Sequence, residues 1–245
     1  MHFPNTLRHK SRPAPLPPTA NHLLANVPVA EYQRLAPHLE PVTLPSGWPI
    51  HEVSVNLKYA LFPTDGIFSR LHVMEDGASA AFALTGNEGL VGISLLMGGG
   101  GVTTSRAIVQ SAGHAYRLRA DILMQEFQRG GHFRYLLLRH SLALINQIAQ
   151  FIVCYRHHSL EQNFCRWMLM SLDRLPGNEI AMTQELIANT LGVRREGVTE
   201  AAGRLQRDGL IHYRRGHITI LNRPALEQRV CECYGVLKKE YSHLL

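Results

Sequence analysis

Between residues 21 and 120 apolar and polar positions alternate in short runs, with turn residues between them. Residues 67–74 lead into Glu75-Asp76-Gly77, and residues 79–84 lead into Thr85-Gly86-Asn87. The alternation resumes at Ile108-Val109 and at residues 115–118, after the glycine run 98–101. A period of two broken by Gly and Asp-Gly turns predicts short antiparallel strands closed into a roll or barrel.

The period then changes. Residues 121–129 read as a short helix stopped by Gly130-Gly131, and residues 132–157 contain neither Gly nor Pro. Within that stretch Leu137, Leu144 and Phe151 recur every seven residues, with His140, Gln147 and Cys154 between them. The spacing predicts a helix about 37 Å long at 1.5 Å per residue. Its stripe is taken as a surface for pairing with a second copy, the alternative being packing on its own domain. Ser159 is suited to cap a further helix that ends near Pro176-Gly177-Asn178. Residues 224–241 read as one more helix, with Pro224 in its first turn.

The segment 182–220 carries the most specific pattern. Thr183 is placed to cap a helix whose apolar face is Leu186, Ile187 and Leu191, and Gly192 follows where positive φ is needed. A second helix over 194–206 turns Val198, Ala202 and Leu205 inward. Its other face offers Arg195, Glu196, Thr199, Glu200, Gly203 and Arg207. Residues 211–220 then form two short strands around Gly216, with Arg214 and Arg215 near the tip. Helix, glycine turn, helix and basic hairpin make a winged helix-turn-helix whose second helix suits a major groove. Gly197 and Gly203 each cost helix stability relative to Ala, which close approach to a DNA backbone would explain.

Charge sharpens this picture. The formal net charge of the chain is +6. Residues 1–20 carry Arg8, Lys10 and Arg12 with no acid, while residues 194–215 hold six arginines against Glu196, Glu200 and Asp208. The basic excess therefore falls on the predicted reading head. No uninterrupted apolar run reaches the ~18 residues of a membrane span, and the basic, proline-rich start lacks the apolar core of a secretory signal. A cytoplasmic protein without membrane contact is expected.

The stretch from Met182 through Gly192-Val193-Arg194-Arg195-Glu196 to Glu200, with Leu205 and Gly209-Leu210-Ile211, resembles the DNA-binding unit of the Crp/Fnr superfamily of bacterial regulators. The order of sensor roll, long helix and winged helix resembles that superfamily too. The resemblance implies an α+β fold in four parts: a basic tail (1–20), a cyclic-nucleotide-binding-like β-roll (21–131), a dimerisation helix (132–157) and a winged helix-turn-helix domain (158–245). It implies a homodimeric regulator, not an enzyme, with double-stranded DNA and RNA polymerase as partners. Arg195 and Glu196 match the base-reading pair, and Glu200 stands where another arginine is known. Thr183, Arg194, Arg195, Glu196, Thr199, Glu200, Arg207, Arg214 and Arg215 are the expected DNA contacts.

In the sensor half Glu88, Ser105 and Arg106 are the nearest equivalents of the superfamily's nucleotide-binding residues. Glu88 lacks a preceding glycine, and Arg106 meets Ala107 without a hydroxyl residue between. These departures argue against a cyclic nucleotide, and no cofactor is expected. The superfamily's iron–sulfur branch uses an N-terminal cysteine cluster, whereas residues 1–153 hold no cysteine. Haem stays open through His51, His72 or His114. No metal site is expected, because Cys231 and Cys233 on one helix would point about 200° apart. The competing reading is a small-ligand signalling module whose winged helix contacts protein. No nucleophile elbow, HExxH or P-loop is present to support catalysis.

Overall fold

In a computed structural model, residues 15–98 and 102–242 are described. The alternating first half folds into strands β1 (Glu40–Leu44), β2 (Pro49–His51), β3 (Tyr59–Pro63), β4 (Ile67–Val73), β5 (Ser79–Thr85), β6 (Arg106–Ser111) and β7 (Gly113–Arg119), preceded by helices α1 (His22–Ala25) and α2 (Val29–Leu35). Two antiparallel sheets result, in the orders β1-β7-β3 and β2-β6-β4-β5. Their inward residues, among them Leu44, Phe62, Phe68, Val91, Val109 and Leu118, are buried and fill the roll. The fold is α+β, as the periodicity predicts.

Of the glycine run, residues 99–101 lie outside the described residues, as does the basic part of the N-terminal tail (1–14). The tail was expected to reach residue 20. Instead Pro18–Ala20 form a 3-10 turn, and the Tyr116 hydroxyl donates to the Leu16 carbonyl at 3.0 Å. Asn21 is buried and donates to the Pro63 and Gly89 carbonyls at 2.8 Å each.

Helix α3 (Ala120–Arg129) leads through Gly130 and Gly131, both at positive φ, into the long helix α4 (Gly131–His157). The Glu31 carboxylate caps it, accepting from the backbone N–H groups of His132 and Phe133 at 3.0 and 2.8 Å. A Cβ at Gly131 would meet that carboxylate at 2.9 Å, so glycine is what lets the cap approach.

The stripe taken from the sequence as a pairing surface is turned inward. Leu137, His140, Leu144, Gln147, Phe151 and Cys154 are each at most 4 % exposed. Gln147 bonds both backbone groups of Leu84 on β5, and His140 meets Leu90 N–H at 3.3 Å. Burial holds the His140 imidazole below its ordinary range. The large apolar residues α4 leaves exposed are Tyr135, Leu138, Leu142, Ile145, Ile152 and Val153, with Ala149 exposed among them. A second apolar stripe thus runs along the same helix, and packing decides which one the chain itself covers. By length and composition α4 is apolar enough to cross a membrane, but 44 % of its most apolar window is buried inside this fold.

Helix α5 (Leu160–Leu172) begins at Ser159, which with Gln162 forms a reciprocal cap. It packs under strand β8 (Glu179–Ala181), helices α6 (Gln184–Leu191) and α7 (Arg195–Arg207), strands β9 (Ile211–Arg214) and β10 (His217–Ile220), and helices α8 (Arg223–Arg229) and α9 (Cys233–Ser242). The expected single helix over 224–241 is thus two. Val230 is extended (φ −74°, ψ 155°) and Cys231 turns into the core, which breaks the helix without Gly or Pro.

Candidate nucleic-acid interface

The helix-turn-helix is built by two local devices. Thr183 caps α6, its Oγ1 accepting from Leu186 N–H at 3.3 Å. Gly192 then adopts φ +67°, and the Val193 N–H closes back on the Ala188 carbonyl. Val198, Ala201, Ala202 and Leu205 bury one face of α7. The opposite face presents Arg195, Glu196, Thr199, Glu200 and Arg207 to solvent, with Arg194 exposed just before its first turn. The Thr199 hydroxyl donates to Gln184 Oε1 at 3.0 Å, tying α7 to the start of α6.

The wing is a three-stranded sheet in the order β8-β10-β9. Its tip is the two-residue loop Arg215-Gly216, at φ +50° and +82°, flanked by the pair Arg214 and His217. Positive φ at both central positions defines the hairpin turn whose twist matches the strands. The Tyr213 phenol, pushed up to about 12 by burial, stays protonated and donates to the Met182 carbonyl at 2.9 Å. Between α6, α7 and the wing lies a cleft of about 490 Å³ lined by Thr183, Gln184, Glu185, Arg195, Tyr213 and Arg215.

Electrostatics separate two sets of arginines. Arg204 pairs with Glu161 at 2.7 Å, and Arg229 bridges Glu161 and Asp208. Among the described residues, Arg194, Arg195, Arg207, Arg214 and Arg215 have no carboxylate partner, and all are exposed. The fold brings Thr183, Arg195 and Arg215 of the expected contact residues to one cleft, and adds Gln184, which the sequence pattern had not singled out. Its position one residue after the cap was the available signal. One of the two helix glycines has an explanation other than close DNA approach. A Cβ at Gly197 would meet Leu160 Cδ2 of α5 at 2.8 Å, a packing restriction, while at Gly203 it would meet only Arg207 Nη1, at 3.9 Å, an ordinary contact.

The sensor residues are not brought together. Glu88 sits beyond the end of β5, where its carboxylate accepts from Arg174 at 2.8–2.9 Å and from the Gly86 N–H at 3.1 Å. Both side chains of the pair are under 10 % exposed. Burial opposes the Arg174 charge, but Glu88, Tyr241 and Asp173 together outweigh it and raise the guanidinium's pKa. The pair joins the roll to the DNA-binding half at a cleft of about 330 Å³ that Tyr241 also lines. Ser105 and Arg106 lie at the other end of the β4–β6 ladder: Ser105 is buried and accepts from Arg70, and Arg106 approaches Glu52 at 3.1 Å. Of the three histidines considered for haem, His114 pairs with Asp65, His51 is buried beside Thr103, and His72 stacks on Phe82.

Cysteines supply a constellation the sequence reading missed. Because the helix breaks at residue 230, Cys231 and Cys233 do not diverge. Together with Cys154 and His158 they place one ligand atom each within 4.8 Å of all the others.

Comparison with known proteins places this geometry. Residues 162–229 match the Crp-like helix-turn-helix domain. No curated protein matches the chain. Among solved structures, a chain from Eubacterium rectale assigned to the Crp/Fnr family of transcriptional regulators is 18 % identical, with a TM-score of 0.67 over 86 % of this chain and 98 % of that one. FixK2 from Bradyrhizobium japonicum is 14 % identical, with a TM-score of 0.65 over 79 % and 98 %. The c-di-GMP-responsive global regulator CLP from Xanthomonas campestris is 14 % identical, with a TM-score of 0.64 over 80 % and 100 %. The chain thus has the fold of the Crp/Fnr regulators, with a Crp-like helix-turn-helix domain at its C-terminal end.

Proposed function

We propose that this protein is a cytoplasmic, homodimeric, sequence-specific DNA-binding transcription regulator. The observation that carries the reading is the surface holding Arg194, Arg195, Arg207, Arg214 and Arg215, none with a carboxylate partner among the described residues. A helix-turn-helix used only for packing would balance such charges as Arg204 and Arg229 are balanced. Arg195 and Glu196, in the first turn of α7, read base edges, while the other four arginines hold phosphates. The domain match to the Crp-like helix-turn-helix supports this assignment. RNA polymerase is the expected further partner by family likeness. The signal acts through the roll and is not a cyclic nucleotide bound in the usual way, since Glu88 is engaged by Arg174.

Dimerisation rests on the outward stripe of α4. Tyr135, Leu138, Leu142, Ile145, Ala149 and Ile152 are all exposed at alternating spacings of three and four, the seam of a two-helix coiled coil. The double variant Leu142→Glu and Ile145→Glu is expected to run as a monomer by sedimentation while keeping the wild-type circular dichroism. A dimer in that variant would move the interface elsewhere.

Selection from a random duplex pool tests the whole reading. Enrichment of a near-palindrome with half-site centres about 34 Å apart is expected, since two related reading heads lie one helical turn apart. A pool that never departs from random sequence would refute it.

A further inference from the structure

The Cys154–His158–Cys231–Cys233 cluster lies away from the DNA-facing surface. It lies where the C-terminal end of α4 meets the α8–α9 link, so it touches both the long helix and the winged-helix domain.

We propose that Cys154, Cys231, Cys233 and the Nδ1 of His158 form a structural site for one zinc ion, clamping the end of the long helix to the DNA-binding domain. The donor set, three sulfurs and one imidazole, is a composition structural zinc sites use. The spacing fits one ion. A zinc–sulfur bond of ~2.3 Å sets tetrahedral ligand atoms about 3.8 Å apart. Here Cys154 Sγ and Cys231 Sγ are 3.5 Å apart, Cys233 Sγ and His158 Nδ1 are 3.5 Å apart, and all four atoms lie within 4.8 Å. That span leaves no room for the bridging sulfides of an iron–sulfur cluster. A disulfide, with sulfurs at ~2.05 Å, would need Cys154 and Cys231 to close further, and would leave Cys233 and His158 unused.

The surroundings point to the same occupant. His158 Nε2 lies 3.3 Å from the Glu232 carboxylate. A proton held there frees the Nδ1 lone pair for a metal, the carboxylate–histidine arrangement that orients metal-bound imidazoles. Gln150 Nε2 donates to Cys233 Sγ at 3.0 Å. Asn163 donates to the carbonyls of Cys154, His158 and Ser159, fixing the turn that carries two of the ligands. Arg166, 1 % exposed, has no carboxylate partner among the described residues; it meets the Phe151 ring and shares Asn163 Oδ1 with Cys154. A buried guanidinium so placed calls for a nearby negative charge. Three thiols and one neutral imidazole binding Zn²⁺ release three protons and leave a site of charge −1, which is the balance Arg166 lacks.

The test uses the full-length chain purified with a thiol reductant. Expected are one zinc per chain by elemental analysis and, after exchange with Co²⁺ alone, the visible and sulfur-to-cobalt absorption of a tetrahedral thiolate site. Cys231→Ser and Cys233→Ser should lose the metal. Cys165→Ser, a buried thiol outside the cluster, should keep it. Glu232→Gln, exposed enough to fold normally, should weaken zinc affinity about 10–100-fold. Should the cysteine variants not fold, removing zinc from the wild-type chain with a chelator should lower its melting temperature, and readdition should restore it. Metal-free protein that takes up neither Zn²⁺ nor Co²⁺, or a Cys154–Cys231 disulfide in peptides mapped without reductant, would overturn the proposal. So would metal retention in both cysteine variants. None of these readouts depends on DNA binding.

Discussion

Replacing Arg174 by methionine is expected to lower the unfolding free energy by about 3–5 kcal/mol. The change leaves the Glu88 carboxylate buried with only the Gly86 N–H for company. Both partners are almost wholly removed from water, so their attraction is not screened as a surface pair's would be. Glu88→Gln alone should also destabilise, by removing the charge that balances the buried guanidinium and leaving it the Met170 carbonyl and the Tyr241 ring. The double variant Glu88→Gln with Arg174→Met should lose much less than the sum of the two, because the groups left unpaired are gone. Urea denaturation of the four proteins closes the cycle. Additive losses would mean that the two residues do not act as a unit.

Replacing Arg195 by alanine is expected to cost about 1–3 kcal/mol at each half-site and to relax the preference for one base pair there. A symmetric operator meets the change twice, so binding to the selected palindrome should fall by roughly 30-fold to 10⁴-fold. Affinity for random duplex should fall far less, because Arg194, Arg207, Arg214 and Arg215 still meet phosphates. Among the described residues Arg195 forms no ion pair and its side chain is exposed, so the fold should melt as the wild type does. Competition binding against scrambled duplex separates the two effects. Loss that is uniform across sequences would make Arg195 a phosphate contact instead of a base reader.

The winged helix-turn-helix was legible because its instructions are local. Thr183, Gly192 and the Arg215-Gly216 turn each fix backbone geometry within a few residues, and the helices fall within one or two residues of their expected bounds. The strands around Ile67, Ser79 and Gly113 were legible for the same reason. What failed depends on distant partners. Leu137 and Leu138 are equally apolar, and only the roll packed against α4 decides that the first is buried and the second exposed. Glu88 looks like a ligand residue in sequence, yet Arg174, 86 positions later, claims it. The cysteine cluster was hidden because a helix break at Val230, without Gly or Pro, reorients Cys231. Cys154 and His158, a thiol and an imidazole close together where the long helix ends, were the signal available.

The central claim is that the unpaired arginines face DNA, and the salt dependence of wild-type affinity for the selected duplex tests it most directly. Four phosphate-binding arginines on each of two protomers make about eight contacts, for which log affinity should fall against log salt with a slope of roughly −7. A slope near that value, shallower by about 2 when Arg214 is replaced by alanine in both protomers, is the expected result. Affinity that does not change with salt, or a slope untouched by that substitution, would contradict the account.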